Sequence, residues 1–244
     1  MGVYALVLML VSSVLMALAA QSLCAQEMRR MVKKEGGRYD GAVIEWLDMT
    51  IITLSSLPFQ IPLFHGTVPV MLIGGAFGAF LAAACWSDAQ TGWVPDSVII
   101  PSLVLGVFYA WCLRSGGLPD PITALLIALG CLAFFGMLLL AFMLLPFVRI
   151  TPPDAVFSIL IVLTPKDIPQ MLIVLITLMA CLLLVRTRPQ WVRALIPAEE
   201  RARLTSQMEE AMDYETGHME GKWYPLGPLA LVCVLVGVCA NALL

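Results

Sequence analysis

The sequence predicts an all-α fold, a polytopic integral membrane bundle of about eight transmembrane helices, and three observations predict it. Of the 244 residues 60% are hydrophobic and 13% charged, where an average soluble domain carries about 25% charge. Apolar runs approaching the ~20 residues of a bilayer-spanning helix recur along the whole chain, joined by short polar turns. The basic residues fall almost entirely on alternate loops. A mean hydropathy of +0.92 excludes an ordinary soluble globule. A net charge of -3 with no extended basic tract leaves no footing for nucleic acid. The partner that matters is membrane lipid.

The runs fall at 3–24, 49–64, 68–86, 97–113, 121–147, 154–165, 170–186 and 226–244. The first ends in Ala-Leu-Ala-Ala but lacks the basic start of a cleaved signal peptide, so it reads as a retained span. The second is short and holds Pro58 and Pro62. The third contains Gly74-Gly75-Ala76-Phe77-Gly78, a GxxxG pattern that lets two backbones approach closely. The sixth is short and opens at a carboxylate, Asp154.

Lys and Arg in short loops set the direction of insertion. With eight crossings and the amino terminus outside, twelve of the fourteen basic residues lie inside, and only Arg114 and Lys166 lie outside. Removing the second crossing inverts every later loop and divides the charges seven against seven. The charge pattern therefore argues that 49–64 traverses the membrane and that both termini are outside. Residues 1–244 form a single membrane domain. Its cytoplasmic side carries a short basic loop at 25–48 and a larger loop at 187–225, where a charged amphipathic helix starts at Pro197.

The seven cysteines (24, 85, 112, 131, 181, 233 and 239) lie in or beside apolar runs with no CxxC spacing, which argues for packing and against zinc. His65 and His218 are too far apart in sequence to suggest a metal centre or a triad. No metal or cofactor is expected. Chemistry is expected where an acid abuts an apolar span, since an ionisable group is costly there. The candidates are Glu45, Asp48, Asp88 and Asp154. The derived topology puts Asp88, closing the third span, and Asp154, opening the sixth, at the same cytoplasmic edge. Two carboxylates held together cannot both ionise cheaply, so one keeps a proton, the arrangement of an aspartyl protease. The alternative is that each caps a helix or sits in interfacial water.

The residues also carry a resemblance. Asp88-Ala-Gln-Thr-Gly-Trp-Val-Pro-Asp96, followed by an apolar helix, resembles the first catalytic segment of the type IV prepilin peptidases. In that family a second aspartate, in a GxGD motif, opens another helix about sixty residues on, and the matching position is Asp154. Lys222-Trp-Tyr-Pro-Leu-Gly-Pro-Leu-Ala230 is similar to the Pro-containing segment that begins the family's final helix. The likeness covers roughly 70–244. It implies an inner-membrane aspartyl endopeptidase whose catalytic residues are Asp88 and Asp154. The implied substrate is the helix of a prepilin or pseudopilin, cut behind its leader on the cytoplasmic side.

The departures are specific. Thr151-Pro152-Pro153 stands where the family has Gly-x-Gly, and prolines fix φ where glycines flex. The loop 25–48 has no cysteine, whereas many members carry paired CxxC motifs there, associated with methylating the processed pilin. Two other readings stay open: a catalytically inactive peptidase-like scaffold or assembly component, and a transporter that relays protons through interfacial acids.

Overall fold

The structure, a computed structural model, describes residues 3–34, 46–63, 66–91, 94–115, 117, 120–122, 152–165, 168–187 and 227–243. Among them every regular element is helical. The order is α1 (Val3–Lys34), α2 (Trp46–Ser56), a 3₁₀ turn (Leu57–Gln60), α3 (Val68–Thr91), α4 (Asp96–Ser115), α5 (Pro152–Leu163), α6 (Ile168–Thr187) and α7 (Gly227–Leu243). Three helical stretches are long and apolar enough to cross a membrane: Leu6–Arg30, Val68–Ala89 and Asp96–Ser115. Pro169–Cys181 and Gly227–Ala240 are shorter apolar helices. The fifth predicted run beyond Ile122 and the amphipathic stretch of the 187–225 loop lie outside the described residues.

α1 runs ten residues past the predicted end of its apolar run. No Gly or Pro interrupts Val3–Lys34, and Ala25, Gln26, Glu27, Met28, Arg29 and Arg30 are all good helix formers. Hydropathy ends at Cys24 while helix propensity continues. The predicted second span differs more. α2 stops at Ser56 because the ring of Pro58 would meet the carbonyl four residues back, and the chain tightens into the 3₁₀ turn before bending at Ile61–Leu63. The two pieces together rise about 25 Å, less than the ~30 Å of a hydrocarbon core.

α3 is the centre, packed by α1, α2, the 3₁₀ turn, α4 and α7. Its GxxxG face does bring backbones close, and the occupant is the chain's own turn. A Cβ on Gly74 would stand 2.6 Å from the Phe59 carbonyl oxygen, and one on Gly78 would stand 2.5 Å from Phe59 Cδ2 and 2.9 Å from Ser56 Cα. The Phe59 ring then meets Phe77 edge-on at 5.1 Å, and Phe77 meets Tyr109 at 5.1 Å, joining turn, α3 and α4 in one aromatic contact. On the neighbouring side Gln60, fully buried, donates to Ser13 Oγ at 2.7 Å and to the Met9 carbonyl at 3.3 Å, which fastens the turn to α1.

The remaining helices dock on α4 and α7. Arg114, in the last turn of α4, donates to the Leu163 and Pro165 carbonyls at 3.3 and 2.9 Å, so the end of α5 lies beside the end of α4. α7 packs on α3, α5 and α6. The contacts fix directions: α1, α3 and α6 run one way, and α2, α4, α5 and α7 run the other.

Candidate functional site

Asp88 lies in the last turn of α3 and is 6% exposed. The amide of Gly227, first residue of α7, donates to its Oδ2 at 2.6 Å across 139 residues of sequence. The first four amides of a helix lack internal partners and carry the positive end of its dipole, so a carboxylate there is favourably placed. The approach requires glycine. A Cβ on Gly227 would stand 2.8 Å from Oδ2 and 2.9 Å from Cys85 Cα.

Polar side chains from three further helices gather at the same end. Trp86 Nε1 donates to Asp48 Oδ1 at 2.7 Å, tying α3 to the start of α2. Asp48, a candidate by sequence, is thus engaged in holding two helices together. Glu27 on α1 accepts the amides of Asp96 and Ser97 at 3.2 and 2.8 Å, the opening of α4. Cys24, one turn earlier, hydrogen-bonds with Ser87. Glu45 lies outside the described residues.

Asp154 is the third residue of α5, and its side chain lies outside the described residues. Its backbone depth follows from two crossings. A Cβ on Gly237 of α7 would stand 3.9 Å from Thr164 Cβ at the end of α5. Ten residues back along each helix, about 15 Å, lie Gly227 and Asp154, at one level. A Cβ on Gly106 of α4 would touch both Leu160 Cδ2 and Phe77. Asp154 is six residues from Leu160, about 9 Å, and Asp88 eleven from Phe77, about 17 Å, toward the same end. The start of α5 thus lies between level with Asp88 and about 8 Å deeper in the bundle. Pro152 and Pro153 occupy the first helical positions, where their missing amides cost nothing.

Gly227 and Glu27 were not visible as site residues in the sequence. Gly227 sits inside the segment that carried the family likeness, but capping across 139 residues leaves no local pattern. Among the described residues no group of three or more His, Cys, Asp or Glu is placed to hold a metal ion. The six described cysteines are free thiols, and Cys131 lies outside the described residues. Compared with protein-family models, curated proteins and solved structures, the chain matches none.

Proposed function

We propose that the chain is an inner-membrane aspartyl endopeptidase that removes the leader of a type IV prepilin or pseudopilin at the cytoplasmic face. The observation that carries the reading is convergence. The parts that carry the likeness to the prepilin peptidases, Asp88–Asp96, Asp154 at the second-aspartate position and the described end (Gly227–Ala230) of Lys222–Ala230, lie where helices open or close at one end of the bundle, although 66 and 139 residues separate Asp154 and Gly227 from Asp88. In this reading an ionised carboxylate of the Asp88–Asp154 pair takes a proton from water, whose oxygen attacks the scissile carbonyl carbon. The protonated partner donates to the carbonyl oxygen, and the tetrahedral adduct collapses as the carbon–nitrogen bond breaks and the leaving amine gains a proton. The pair needs no metal.

Eight crossings with both termini outside complete the proposal. The helix directions support it, since α1 and α6 both finish at the Asp88 end, carrying Arg29, Arg30 and Arg186 toward it, and α4 and α5 run the same way, as one crossing between them requires. The test is co-expression with a prepilin whose leader ends in Gly, followed by a search for the shortened product. Wild type should give it and Asp154→Asn should not. Full cleavage by Asp154→Asn refutes the pairing.

A second reading, an inactive peptidase-like scaffold, is favoured by Pro152-Pro153 in place of flexible glycines and by the capping contact of Asp88 on α7. It expects no product from wild type and an unchanged assembly phenotype from Asp88→Asn.

A further inference from the structure

We infer that α1 is a clasp on the turn that carries Asp88, with Glu27 as its positioning residue; the catalytic part of this rests on the peptidase reading. α4 begins after Pro95, whose carbonyl accepts the amides of Val98 and Ile99, both at 3.1 Å. Proline has no side-chain acceptor, so the usual local N-cap is missing and the first amides of α4 need partners from elsewhere. Glu27 supplies both: Oε1 accepts from Asp96 at 3.2 Å and Oε2 from Ser97 at 2.8 Å, from 69 and 70 residues away. Ser97 Oγ in turn donates to the Leu23 carbonyl at 3.3 Å.

The opposite flank of the turn is held by the same face of α1. Cys24 hydrogen-bonds with Ser87, the residue before Asp88. Leu23, Cys24 and Glu27 stand at i, i+1 and i+4, one side of one helical turn. They grip residue 87 on one flank of Asp88 and residues 96 and 97 on the other. A serine at position 95 would satisfy the Ser97 amide locally. What the remote carboxylate adds is the tie between α1 and the turn.

The test uses the full-length protein in detergent, with amide hydrogen exchange read at Asp96 and Ser97 and steady-state cleavage of a prepilin measured in parallel. Glu27→Ala should speed exchange at the two amides by about tenfold or more, since bonds to a charged acceptor are lost. It should lower kcat by about 10- to 100-fold with KM little changed, the signature of a displaced acid–base group. Adding Pro95→Ser to Glu27→Ala gives α4 its own cap, and should restore slow exchange at Ser97 while leaving kcat depressed, because the tie to α1 stays broken. If Glu27→Ala does not insert, Glu27→Gln, which keeps one acceptor oxygen, should release one of the two amides. Unchanged exchange overturns the clasp. Faster exchange with unchanged kcat, or full recovery of kcat in the double variant, overturns the positioning role. If wild type cleaves no prepilin the peptidase reading fails, and the exchange rates alone still decide whether α1 clasps the turn.

Discussion

Under the proposed peptidase reading Asp88 carries two demands in one carboxylate, and substitutions separate them. As a cap on α7 it needs only an acceptor oxygen 2.6 Å from the Gly227 amide, which asparagine also provides. As half of an acid–base pair it needs a group that exchanges protons, which asparagine lacks. Asp88→Asn should therefore unfold within about 0.5 kcal/mol of wild type while cleaving prepilin at least about 10²-fold more slowly. Asp88→Ala should lose both, with about 1 to 2 kcal/mol of stability gone as well. Thermal unfolding in detergent beside a cleavage assay separates the two. Normal cleavage by Asp88→Asn would leave capping as its whole role.

At the scale of elements, the seat of the 3₁₀ turn in the glycine face of α3 is the contact most sensitive to volume. Gly78→Ala puts a methyl 2.9 Å from the backbone of Ser56 and 2.5 Å from the Phe59 ring, whereas Gly117→Ala meets nothing within 4 Å. The first should cost about 1 to 3 kcal/mol and the second nothing of that order. Equal melting temperatures for the two variants would show that the turn is not seated there. GxxxG announced a close approach, but not which segment makes it, because Phe59 reaches the groove only after Pro58 has ended α2. Continuous apolar runs made α3, α4 and α7 legible within a few residues. The last ten residues of α1 were missed because propensity outlasts hydropathy there. The grip of Glu27 on α4 and of Gly227 on Asp88 joins residues 69 and 139 apart, and no periodicity records such a pairing.

The molecule as a whole is constrained by charge and by donor chemistry. The proposed pair of carboxylates activates water without a metal, so a chelator should leave prepilin cleavage intact, and metal-dependent loss would overturn that mechanism. Orientation is the property on which the two aspartates depend together. α4 descends from the Asp88 end to Arg114, and α5 returns the chain's polarity to the same pattern, with Leu163 beside Arg114 and its first residues toward Asp88. If the twelve basic residues that the eight-span topology assigns to the Asp88 side hold that side in the cytoplasm, a reporter fused after Arg38 or after Arg203 should signal cytoplasm. One fused after Gly117, past the far end of α4, should signal the exterior. The fusion after Arg203 discriminates most, because an odd number of crossings removed before it reverses its sign, while the fusion after Arg38 is blind to the second span. An exterior signal after Arg203 with a cytoplasmic one after Arg38 would show that a crossing between them is missing, and a cytoplasmic signal after Gly117 as well would assign the loss to the stretch before it, with the short α2 segment as the first suspect. That outcome would put the Asp88 end outside while the end of α1 stays inside, and so would also break the contacts of Glu27 with α4 and of Trp86 with Asp48.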